Sequence, residues 1–147
     1  MRNTLGRNFS WVCLALMLGA FTSVLADPMT IKLTLVWGTD EEKPKDTTLK
    51  PADPQMVTQF HKICKWKHYF EVTNTTASLS QTLNRVRLSP KCEIEVQNLG
   101  KEGLEAKFFG EGKLIYKGKS KVEPGKHWGI AGEDKDATAW FVILTPL

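Results

Sequence analysis

Ala139-Trp140-Phe141-Val142-Ile143-Leu144 is the stretch that decides the fold. It is an unbroken apolar run, rich in β-branched and aromatic residues and stopped by Pro146. Its length suits a strand rather than a helix, and its continuity calls for cover on both faces. Trp140, Val142 and Leu144 must face one way, and Phe141 and Ile143 the other. The first set needs a facing sheet, which Ile94 and Val96 can supply. The second needs another apolar surface, and the Met56-Phe60-Ile63 face of a helix is the one left over.

The rest of the chain supports a β domain. Met29, Ile31, Leu33, Leu35 and Trp37 alternate with Thr30, Lys32, Thr34 and Val36, a half-buried strand. Gly38 to Pro51 is polar, with two prolines, and reads as a long surface loop. Asp53-Pro54 is the one good helix start, an N-cap followed by proline at the first helical position. Met56, Val57, Phe60, Ile63 and Cys64 follow at helical spacing, so the helix is expected over residues 53–65. Tyr69 to Val72 is a strand, and Asn74-Thr75-Thr76 opens a polar turn. Leu83, Val86 and Leu88 lie in a segment ended by Ser89-Pro90. Cys92/Ile94/Val96 and Leu104/Ala106/Phe108 alternate with polar residues. Leu114–Tyr116 and His127–Ala131 are further short strands, with turns at Gly110-Glu111-Gly112, Glu123-Pro124-Gly125 and Gly132–Asp136. The expected fold is mainly β: a single sandwich or small barrel of seven to eight short strands with one short helix.

The first 26 residues read as a cleavable signal peptide. Arg2 and Arg7 form a positive start, Trp11–Phe21 an apolar core, and Val24-Leu25-Ala26 a cleavage site before Asp27. Cleavage there leaves 121 of 147 residues, one domain's worth, and lowers the formal charge from +4 to +2. That balance is no nucleic-acid footprint. No other apolar stretch is long enough to span a bilayer. The mature chain, 27–147, reads as soluble and secreted or periplasmic. Cys64 and Cys92 are then an even pair in an oxidising compartment, and a disulfide between them is expected. It would close a loop of about thirty residues, worth ~3.5 kcal/mol on the chain-entropy account.

Lys65-Trp66-Lys67-His68-Tyr69-Phe70, Leu88–Val96, Gly132–Asp136 and Thr138–Val142 resemble a group of small, secreted, uncharacterised bacterial proteins that are rich in β structure. The resemblance spans most of the mature chain. It implies a Gram-negative-type envelope and a β-rich domain, and brings no functional residues with it.

Several motifs imitate chemistry. His61-x-x-Cys64-x-x-x-His68 has ligand-like spacing on a continued helix and would suit zinc. The lysines at 62, 65 and 67, and the disulfide partner of Cys64, argue against a cation. Gly112–Ser120 resembles a phosphate loop but has five residues between its glycines and no helix after them. Glu133-Asp134-Lys135-Asp136 lacks the further acidic ligands and the glycine of a calcium loop. Asn74-Thr75-Thr76 is a glycosylation sequon, of consequence only in a eukaryotic secretory pathway. No nucleophile elbow, zincin helix or cysteine-protease pattern is present. No catalytic, metal or cofactor residue is therefore assigned, and the balance leans away from an enzyme. Trp37, Trp66 and Trp128 are the candidate ligand-stacking residues, although aromatics also fill the core of a small β domain. The leading expectation is an exported, non-enzymatic binding or structural domain whose partner is an envelope protein or a polysaccharide. A carbohydrate-binding module using the tryptophans, and a small hydrolase with an acidic pair, are the alternatives.

Overall fold

A computed structural model of the chain describes residues 27–134 and 136–147. The expected leader, 1–26, lies outside the described residues, as does Lys135. The strands are β1 (Met29–Thr39), β2 (Lys50–Pro51), β3 (His68–Leu79), β4 (Asn84–Ser89), β5 (Cys92–Asn98), β6 (Leu104–Gly110), β7 (Lys113–Ser120), β8 (Trp128–Glu133) and β9 (Ala139–Pro146). The one α-helix among the described residues, α1 (Pro54–Phe60), lies between β2 and β3. The strands form two antiparallel sheets, one ordered β2-β3-β1-β9-β8 and the other β4-β5-β6-β7. The expected sandwich is what forms.

The apolar run at 139–144 sits inside the five-stranded sheet as β9, between β1 and β8. Its two faces go to two separate cores. Val142 and Leu144 join Ile31, Leu33, Ile94, Val96 and Phe108 between the sheets, with Trp140 packed against them. Phe141 and Ile143 turn outward and meet Phe60, Trp66 and Tyr69, with Met56 and Val57 alongside. Burying each such side chain contributes roughly 1.5–3 kcal/mol, which is why a strand with two apolar faces takes an interior place.

The helix is the cover for that outer face. Asp53 caps it, its Oδ1 accepting from Gln55 N at 2.8 Å and Met56 N at 3.3 Å. It stops at Phe60, short of the expected end at 65. Ile63 consequently leaves the apolar face and is 82% exposed. Asn74-Thr75-Thr76 is not a turn: β3 runs straight through it, paired to β1 from Thr39 back to Met29. Threonine is a good strand residue, and the alternation of half-buried 73, 75 and 77 with exposed 74, 76 and 78 fits a strand.

The disulfide expected between Cys64 and Cys92 does not form; both are free thiols. Cys92 belongs to the core between the sheets. Cys64 packs against the helix-side cluster. The five-stranded sheet stands between them, so no backbone adjustment of bridge size would join them.

Candidate functional site

Regular pairing breaks at three places. Val72 is the extra residue of β3 opposite Leu35/Val36. Leu88 is the extra residue of β4 beside Cys92. Ile115 is the extra residue of β7 opposite Phe108/Phe109. Bulges bend a strand and re-aim side chains, and they gather beside functional sites. All three lie at one end of the sandwich, and there the sheets part to leave a cleft of about 550 Å³.

The cleft is built in layers. Cys92, Phe108, Trp140 and Leu35 lie where it meets the inter-sheet core. Trp37, Leu49 and Val72 line the side of the five-stranded sheet, and Gly110 and Ile115 the side of the other. Lys91, Glu111 and Asp134 bring charge from the connecting turns, and Glu133 from the end of β8. Two of the seven large apolar side chains exposed among the described residues, Val72 at 36% and Ile115 at 52%, line this cleft. Leu114 and Tyr116 are two more and flank Ile115 on β7.

Local packing explains why these side chains hold their places. Trp140 stacks on Phe108 with centroids 4.3 Å apart and planes at 13°. On its other side its indole covers Gly132, its cross-strand partner, leaving no room for a Cβ there. Tyr116 likewise folds over Gly118 on its own strand. Aromatic rings covering glycines in neighbouring sheet positions compensate for the missing side chain.

The ionisable groups near the cleft are occupied. Lys91 meets Glu111 at 3.5 Å and Lys65 meets Glu133 at 3.0 Å. Burial, with the charge of Glu93 adding to it, pushes the Cys92 thiol up to about 12, so it stays protonated at neutral pH. A thiol in that state is no nucleophile.

A shallower depression of about 350 Å³ adjoins the cleft, with Trp37 and Leu49 common to both. Asp46, Asp136 and Thr138 lie on its border. Hydrogen bonds from Thr48 and Thr138 hold the Asp46 and Asp136 carboxyls below their usual range.

The three tryptophans singled out from sequence do not form a strip. Trp66 is 7% exposed and fills the helix-side core, its Nε1 donating to Ala137 O at 2.9 Å. Trp128 and Trp37 are half-buried and pair with Leu144 and Trp140, four residues apart on β9. Trp128 meets Tyr116 edge-on at 6.5 Å, whereas Trp37 alone of the three lines the cleft. The His61, Cys64 and His68 spacing is also undone, because the helix ends before it. His61 is the C-cap and its Nε2 contacts Lys67 O at 3.3 Å. Among the described residues no group of three His, Cys, Asp or Glu could hold a metal ion. Tyr69 Oη, deep under the helix, has no hydrogen-bond partner among them, and burial is the main reason its pKa rises to about 12. No helix of the described residues is long and apolar enough to cross a membrane.

The cleft residues Val72, Ile115, Phe108 and Trp140 were not singled out from sequence as site residues. Their one sequence signal is Leu114-Ile115-Tyr116, an apolar triplet in a strand otherwise made of lysine, glycine and serine. No family model, curated protein or solved structure matches the chain.

Proposed function

We propose that the chain is a non-enzymatic binding domain of the cell envelope, and that its ligand places an apolar group in the end cleft. The observation supporting this is the meeting of three bulges at one open end of the sandwich. A volume of about 550 Å³ falls in the range of ~300–1,000 Å³ usual for small-ligand sites. Exposed apolar side chains at its mouth are what a partner would cover. Binding is preferred to hydrolysis because Glu111 and Glu133 are each engaged by a lysine.

Titration with the apolar reporter anilinonaphthalene sulfonate tests the reading. The reporter should bind one site and change the tryptophan emission. Val72→Asp and Ile115→Asp, both at exposed positions, should abolish binding with the thermal midpoint little changed. Undiminished binding to both variants would dismiss the cleft.

A sugar stacked on Trp37 is the second reading, favoured by the adjoining depression, where Asp46, Asp136 and Thr138 offer polar groups beside the Trp37 ring. Oligosaccharide binding lost in Trp37→Ala but kept in Ile115→Asp would select it.

A further inference from the structure

The cleft leads onto the free edge of β7. This strand pairs with β6 alone and is the outer strand of its sheet. About half of the peptide groups of an edge strand point away from the sheet and are open to another strand. Residues 113–117 are all exposed, and they include Leu114, Ile115 and Tyr116. Ile115, the bulged residue, belongs both to this edge and to the cleft wall.

Charge narrows the choice of occupant. Lys113, Lys117 and Lys119 lie on β7, and Lys121 follows it directly. Lys117 and Lys119 share one carboxylate, Glu105, at 3.7 and 3.8 Å. Lys113 and Lys121 make no ion pair among the described residues. The same strand from a second copy would set lysine against lysine, a familiar protection of edges against self-pairing. An acidic strand meets no such repulsion. Three successive exposed apolar residues would be a liability on an edge meant to stay empty.

We propose that the partner is an extended acidic segment of another polypeptide, which adds as a fifth strand along β7 and sets one bulky apolar side chain into the cleft beside Ile115. Main-chain hydrogen bonds would give affinity, and the cleft and the lysines specificity. The anchor in the cleft rests on the binding reading above; the added strand rests on β7 alone.

The probe is an acetylated heptapeptide alternating glutamate with valine, with phenylalanine at its centre. Binding is followed by tryptophan emission, and amide hydrogen exchange reports the site. The expected result is binding that weakens with salt and slows exchange along β7. Methylating alternate peptide nitrogens on one edge of the probe should weaken binding at least about tenfold, through lost strand hydrogen bonds. The triple variant Lys113→Gln, Lys117→Gln, Lys119→Gln should weaken it several-fold and flatten the salt dependence. Probe binding without slowed exchange on β7, or indifference to methylation, overturns the added strand and leaves the cleft standing. Slowed exchange on β7 with unchanged binding to Ile115→Asp overturns the anchor and keeps the strand. No binding of the probe, with the naphthalene reporter still bound, overturns this inference alone. Concentration-dependent protection of β7 without probe would make the occupant a second copy and overturn the acidic partner.

Discussion

Gly132→Ala should destabilise the protein, and Trp140→Ala should reverse that effect. The backbone at Gly132 lies outside the left-handed region, so alanine is conformationally acceptable there. The obstacle is the Trp140 ring, since an added Cβ would fall inside the van der Waals shell of indole Cζ2 and Cε2. The indole cannot easily retreat, because Phe108 is stacked on it at 4.3 Å. Overpacking of this kind costs about 1–3 kcal/mol, against a gain of about 0.5–1 kcal/mol from replacing glycine within a strand. A net loss of about 1–2 kcal/mol is expected for Gly132→Ala alone. Trp140 is only half-buried, so Trp140→Ala should lose about 3 kcal/mol, the low end of the range for large aromatic truncations. In that background the ring is gone and Gly132→Ala should stabilise by about 0.5–1 kcal/mol. The coupling is then about 2 kcal/mol, within the span for touching residues. Urea unfolding followed by far-ultraviolet circular dichroism measures all four corners without depending on tryptophan emission. A coupling below about 0.5 kcal/mol would mean that the indole does not cover Gly132, and the account of how the cleft floor is held would fall.

Two further outcomes follow from the same structure. Native Cys92 keeps its proton to about 12 while an unfolded chain loses it near 9.0, so this contribution is intact below pH 9 and is lost as the pH climbs toward 12. Tyr69 acts in the same direction from 10.0 to about 12, and the loss approaches about 1.4 kcal/mol per pH unit for each group. Urea midpoints should fall between pH 9 and 11, less steeply in Cys92→Ala; equal slopes would refute the buried, protonated thiol. Asp53→Ala removes the side-chain acceptor for Gln55 N and Met56 N and should cost about 1 kcal/mol in urea unfolding; no measurable loss would show that the helix is held by packing alone.

The two-faced run at 139–144 was legible because period and composition alone dictate cover on both sides. The partners of each face followed, since Ile94, Val96, Met56 and Phe60 were the apolar surfaces left to fill. Ile63 falls at helical spacing on paper, but after Phe60 the turn tightens, Lys62 N donating to Gln59 O and Ile63 N to Phe60 O, and Ile63 is carried off the apolar face. Asn74-Thr75-Thr76 looks like a turn by its polar composition, and that composition hides the strand preference of threonine that prevails in β3. Counting cysteines gave a pair with no information on which side of a sheet each thiol would lie. The cleft was illegible for a different reason. It depends on where a ladder slips by one residue, at Val72, Leu88 and Ile115, and a slip is a property of two strands that neither sequence segment displays by itself.

The place of β9 between β1 and β8 sets an order on assembly. β4 to β7 form a meander of neighbours in sequence and can pair as soon as they are made. β1 is made before them, yet one of its two ladders waits for β9, from Ile31 opposite Pro146 to Gly38 opposite Ala139. Until β9 arrives, Ile31, Leu33, Leu35 and Val36 have no finished core to enter, and one side of β1 is an open apolar edge. Pairings so distant in sequence are slow to form, and chains waiting in that condition are prone to stick to one another. Among the described strands β1 is therefore the one most in need of shelter while the chain is incomplete.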